Sequence, residues 1–152
     1  MDATFIARWR DREAIGPAAR ATLRRVLERL VATGAPVETA TLPDPGAIDE
    51  LDARDLLLAR DGRVLLAYPL SGVPTPFVTR LADGRERHAV CAVDALGVAP
   101  LLDQPVRVTA RCHHCDARVE VDVSPDGTAG MDDAMVWVGE RDNLGARAST
   151  SL

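Results

Sequence analysis

Between Ala18 and Thr33, Leu23, Val26, Leu27, Leu30 and Val31 recur at helical spacing, which predicts an amphipathic helix with one apolar stripe. Pro17 stands near its start and Gly34 just past its end, an arrangement suited to helix entry and exit. A shorter helix is expected around Phe5 to Glu13. Val37 to Leu42 reads as a brief extended piece, punctuated by Pro43-Asp-Pro45. Gly46 to Leu58 then suits a third helix carrying Ile48, Leu51, Leu56 and Leu57.

After the turn signal Asp61-Gly62 the pattern changes to strands, at Arg63 to Leu70, Phe77 to Leu81 and Arg87 to Val90, the last two flanking Asp83-Gly84. Cys91 to Leu102 returns to an apolar helical segment that ends near Pro100. Val106 to Arg111 and Arg118 to Val123 alternate as a strand pair joined by Cys112 to Asp116. Ser124-Pro-Asp-Gly127 is a turn, and Ala134 to Val138 is expected as a further strand. Arg147 to Leu152 carries no stop signal, so the fold is expected to be C-terminally truncated there.

The sum is an α+β protein. Three helices and a small β-wing give a winged-helix-like N-terminal lobe over residues 1–85. A small β-rich lobe follows over residues 86–152, with a short helix carrying a Cys-x-x-Asp motif. Winged helices often bind DNA, but the third helix presents Asp49, Glu50, Asp52 and Asp55 against Arg54 alone, a surface that phosphates would avoid. An acidic interaction module remains an alternative use of such a lobe.

Composition narrows the picture further. With aromatics at 3%, the core must rest on Leu, Val and Ala. All basic charge is arginine, and the net charge of −5 opposes general nucleic-acid binding. No window reaches membrane-spanning length and the N-terminus lacks a signal-peptide pattern, so a cytoplasmic setting with reduced thiols is expected. Three cysteines, Cys91, Cys112 and Cys115, cannot all pair in a closed disulfide framework.

Those cysteines lie close together in sequence and carry the candidate chemistry. Cys91 and Asp94, at i and i+3, share a face if their segment is helical. At a helix start the dipole would favour the Cys91 thiolate, which suits soft metals, and a carboxyl group within reach could move a proton. The same pair also suits a buried small residue and a first-turn helix stabiliser. Cys112-His113-His114-Cys115 has the spacing of half a zinc knuckle, whose further ligands would come from Cys91, His88, His113 and His114. A structural thiol pair and a redox pair are the other readings. No phosphate loop, nucleophile elbow or H-E-x-x-H is present.

Three stretches, Ala67-Tyr68-Pro69-Leu70-Ser71, His88-Ala-Val-Cys91-Ala-Val-Asp94-Ala-Leu-Gly97, and Val106 to Pro125 around Cys112, together resemble the alkylmercury (organomercurial) lyases. The resemblance runs from about Ala18 to the end and is strongest from Tyr68 to Pro125. It implies that residues 86–152 are the catalytic lobe, that Cys91 captures the mercury of an organomercurial, and that Asp94 takes part in proton delivery to the departing carbon. It implies a structural role for Cys112, with Cys115 completing a CxxC form. The implied reaction is protonolysis to a hydrocarbon and Hg(II), with cellular thiols as partners and no organic cofactor. Mercury is then substrate and product at Cys91, Cys112 and Cys115, and zinc or copper are the other soft ions these thiols suit. The family uses a second active-site cysteine further along, and no cysteine follows Cys115 here. A non-catalytic thiol- or metal-binding relative is therefore the alternative.

Overall fold

The computed structural model describes residues 10–130 and 135–136. Residues 10–13 are helical, and the rest of the helix expected at Phe5 to Glu13 lies outside the described residues. So does most of the strand expected at Ala134 to Val138.

Helix α1, Pro17–Thr33, begins with proline in its first turn and ends on Gly34 at φ 65°, whose N–H returns to the Leu30 carbonyl. The left-handed terminal residue is one that glycine adopts without the clash a Cβ would bring. Ala19, Thr22, Val26 and Leu30 form the buried stripe, one residue per turn.

The second helix, α2, is only Ala47–Ala53, much shorter than the expected Gly46 to Leu58. Asp55 adopts φ 55° and breaks the helix, and the next apolar residues enter strand β2, Leu57–Arg60. Leu57 is fully buried in that strand. A short apolar run carries no information that separates buried strand from buried helix. Asp52 bridges the junction by accepting the Ala59 N–H through Oδ1 at 2.9 Å.

Strand β1 is Val37–Glu38 and β3 is Arg63–Ala67, followed by β4 at Leu70–Ser71. The single strand expected at Arg63 to Leu70 is thus broken at Tyr68-Pro69, where proline offers no ladder N–H. β2 runs along one edge of β3, with a register shift between Leu58 and Ala59, while β1 and β4 occupy the other edge in succession.

The remaining strands are β5 (Val78–Arg80), β6 (Glu86–Ala89), β7 (Val106–Arg111) and β8 (Arg118–Val123). The antiparallel sheet runs β1-β3-β4-β6-β5-β7-β8, with β2 on β3. Helix α3, Ala92–Leu102, follows β6 and packs across β4, β5, β6 and β7 through Ala95, Val98 and Ala99.

One core serves the whole sheet. Leu30 and Val26 of α1, Leu51 of α2, and Leu57, Val64, Leu70, Val98 and Val123 are all fully buried. Two features tie α1 down. Arg87 on β6 is 7% exposed, and its guanidinium donates to the Val31 and Ala32 carbonyls at 2.6 and 2.9 Å. Those are carbonyls at the helix C-terminus that have no partner within the helix. At Gly72, a Cβ would stand 2.6 Å from the Pro36 nitrogen, so the chain after β4 crosses the Ala35-Pro36 segment that follows α1 at a distance only glycine allows. No described helix is long and apolar enough to cross a membrane.

Candidate functional site

The chain leaves β6 at Ala89 and turns into α3 through Cys91, which is extended at φ −147° and serves as the N-cap. Its sulfur accepts the backbone N–H of Asp94 at 3.4 Å, taking the place an Asn, Asp or Ser oxygen commonly fills. The Asp94 carboxyl stands near enough to the Cys91 thiol for each to shift the other's pKa. The structure therefore brings together the first two candidate residues, both half-buried, at the mouth of an eleven-residue helix.

Their electrostatics differ from the expectation of a thiolate favoured by the helix dipole. Burial pushes the Cys91 thiol up, and the Asp94 carboxyl beside it pushes it further. The N–H groups of Asp94 and Val93 act in the expected downward direction but are outweighed. Burial likewise raises the Asp94 carboxyl, against the pull of Cys91 and of the Arg12 guanidinium. The pair thus retains a proton more firmly than free side chains would.

Arg12 is a participant the sequence did not disclose. It comes from the helical residues before α1, is ion-paired to Asp55, and lies over the Tyr68 ring with its guanidinium carbon 5.9 Å from the centroid. The Tyr68 hydroxyl donates to Asp55 Oδ1 at 3.4 Å. Arg12, Asp55 and Tyr68 thus form a polar brace whose positive charge reaches Asp94. Tyr68 sits in one of the resembling stretches, but no spacing rule links Arg12 to Asp94.

His88 is occupied elsewhere: its Nδ1 accepts the Thr75 backbone N–H at 3.1 Å, and the Thr75 hydroxyl donates to the Ala89 carbonyl at 2.6 Å. Cys112 and Cys115 are brought together at the tip of the β7–β8 hairpin, with His113 and His114 exposed between them. The backbone N–H groups of Cys115 and His114 and the Cys115 thiol beside it pull the Cys112 pKa below the usual thiol range. All three cysteines are free thiols. Among the described residues no group of three or more His, Cys, Asp or Glu side chains is gathered to hold a metal ion. Two open grooves, of about 300 Å³ beside Arg80, Pro105 and Arg107 and about 610 Å³ beside Arg20, Arg24 and Pro43, are lined by neither Cys91 nor Asp94.

Comparison with known proteins identifies the family. The sequence model of the alkylmercury lyase family matches residues 70–152. An alkylmercury lyase of Staphylococcus epidermidis is 33% identical over 105 residues, 66% of this chain and 43% of that protein. The crystal structure of the mercury-bound form of MerB2 superposes with a TM-score of 0.63 at 22% identity, over 78% of this chain and 61% of that one. The chain thus spans less than half the length of the curated relative, and the structural likeness speaks to the α+β fold.

Proposed function

The chain belongs to the alkylmercury lyase family, and from that membership we propose that it cleaves the carbon–mercury bond of organomercurials by protonolysis, with Cys91 capturing mercury and Asp94 carrying the proton. The observation that carries this reading is the placement of Asp94 on the first turn of the helix that the Cys91 sulfur caps, so that its carboxyl acts on the Cys91 thiol.

In that arrangement the Cys91 sulfur forms a bond to mercury as its own proton passes to the Asp94 carboxylate and the original counter-ligand departs. Asp94, now a carboxylic acid in a half-buried setting, gives the proton to the mercury-bound carbon. The carbon–mercury bond breaks, hydrocarbon leaves, and Hg(II) remains on Cys91 with no change of oxidation state. The raised pKa of Asp94 suits a general acid, and its nearness to the Cys91 thiol suits a proton passed between the two groups. Arg12 limits how far the Asp94 pKa rises, keeping the carboxyl group able to ionise between turnovers. The partners on this reading are an organomercurial small molecule and the cellular thiols that take the metal away. The order α1, α2, then the β2–β3 hairpin supports reading residues 1–85 as a winged-helix-like lobe that backs residues 86–152.

A second reading, a relative that captures thiophilic metal without releasing hydrocarbon, draws on the same raised Cys91 pKa, which keeps thiolate scarce. One assay separates them. The purified chain is incubated with phenylmercury and excess thiol, and benzene is measured by gas chromatography. Release above the thiol-only control that vanishes in Cys91→Ala is the result expected. Metal retained without benzene would sink the lyase reading and favour the second.

A further inference from the structure

We propose that Cys112 and Cys115 form a second thiol site, separate from Cys91, that chelates the Hg(II) product between two sulfurs. The proposal extends the lyase reading, but its central claim, binding of a two-coordinate thiophilic ion, stands without turnover.

Three observations support it. The hairpin is built to hold the two sulfurs together: the Cys112 N–H donates to the Ala117 carbonyl and the Asp116 N–H to the Cys112 carbonyl, both at 2.8 Å. Asp116, at φ 57°, reverses the chain, and Arg111 clamps it through the Asp116 carbonyl at 3.0 Å and carboxylate at 3.1 Å. The two cysteines are separated by only His113 and His114 at the tip of that hairpin, and both are free thiols.

The ligand count selects the ion. Zinc completes its shell with four ligands, and no third or fourth His, Cys, Asp or Glu joins the pair among the described residues. Two thiolates satisfy a soft ion that is content with linear coordination, such as Cu(I) or Hg(II), and Hg(II) is the one the lyase reading supplies.

Register relates this pair to Cys91. β5 lies between β6 and β7, and one rung joins His88, Val78 and Thr109. Cys91 and Cys112 each stand three residues past that rung, beyond the same end of the sheet, on strands about 10 Å apart. The two thiol positions thus lie toward the same end of the sheet. Transfer is ligand exchange. With Hg(II) held by Cys91 and a small cellular monothiol, Cys112 bonds mercury and releases the Cys91 sulfur. Cys115 then releases the monothiol. The two protons leaving Cys112 and Cys115 end on Cys91 and on the freed monothiol, and mercury stays Hg(II) throughout.

The test uses the whole chain, reduced and kept under nitrogen. Cys91→Ala and the triple variant lacking all three cysteines are dialysed against Hg(II) in millimolar glutathione, with folding checked by circular dichroism and bound metal by mass spectrometry of the elements. One Hg(II) per chain retained by Cys91→Ala, at least tenfold less by the triple variant and by Cys91→Ala/Cys115→Ser, is expected. In the unsubstituted chain with one equivalent of Hg(II), iodoacetamide should label Cys91 and spare Cys112 and Cys115. Equal retention by Cys91→Ala and the triple variant, Zn(II) held in preference to Hg(II), or Cys91 protected while the hairpin labels would each overturn the proposal. Benzene release reports only on the lyase reading, so the two fail separately.

Discussion

Cys91 closes the N-terminus of the helix that carries Asp94: its sulfur accepts the Asp94 N–H at 3.4 Å, and the Asp94 carboxyl raises the pKa of its thiol. A residue that caps a helix is positioned by the backbone, so the sulfur and the carboxyl keep their spacing without help from a flexible loop. Because Asp94 pushes the Cys91 pKa up, replacing it by Asn acts on the two residues in opposite directions. Asp94→Asn is expected to cut hydrocarbon release by about 100-fold or more, the usual contribution of a positioned acid. The same variant should make Cys91 more reactive to iodoacetamide at neutral pH. Peptide-resolved alkylation rates beside a benzene assay check both, and loss of both together would mean that the pair does not share a proton.

The pH dependence follows from the directions of the shifts. Cys91 is raised, so its contribution to stability is complete below the ordinary thiol range and is lost as pH climbs through its folded pKa. Asp94 is also raised, so its contribution is complete only in acid and is lost as pH rises past the ordinary carboxylate range through its folded pKa. At neutral pH an ionised Asp94 therefore weighs against folding. Asp94→Asn is expected to melt higher than the unsubstituted chain at pH 8 and no higher at pH 3, by calorimetry. Cys112 is lowered by its N–H donors, so its alkylation midpoint should fall at lower pH than that of Cys91.

Which parts of this were legible in the sequence depends on range. Helix α1 between Pro17 and Gly34, and the β7–β8 hairpin around Cys112 and Cys115, are set by residues close in the chain, and both were readable. The Cys91–Asp94 contact needed only i, i+3 spacing on a helix. The end of α2 was not readable, because Leu56 and Leu57 continue an apolar run that tertiary packing turns into β2. The insertion of β5 between β6 and β7 is a pairing choice made by the sheet as a whole. Arg12 reaches Asp94 only through that assembly, and the direction of the Cys91 shift depends on burial, which spacing does not encode.

Arg87 illustrates how much a single buried cation can hold. Its guanidinium joins β6 to the last turn of α1, and burial lowers its pKa, aided by Arg85 nearby. Arg85 donates to the same Val31 and Ala32 carbonyls at 3.2 Å. Arg87→Met would keep the apolar stem and remove the donors. A loss of about 1.5–3 kcal/mol, the range for hydrogen bonds from a charged group, is expected in urea unfolding. Arg85→Met, at the exposed position, should cost well under half as much. Equal losses would show that the exposed arginine carries the cap.

Thr22 offers a change in the opposite direction. It is fully buried in the stripe of α1 between Ala19 and Val26, and its hydroxyl has no hydrogen-bond partner among the described residues. Burying an unpaired hydroxyl carries a desolvation cost of about 1–3 kcal/mol. Valine has nearly the same shape and a stiff χ1 that a helix accepts in one rotamer. Thr22→Val is therefore expected to stabilise the chain by about 1 kcal/mol without altering α1, since a methyl replaces an unpaired hydroxyl at a fully buried position. Urea unfolding measures it, with Thr22→Ala as the control for volume. A destabilised Thr22→Val would show that the hydroxyl has a partner after all.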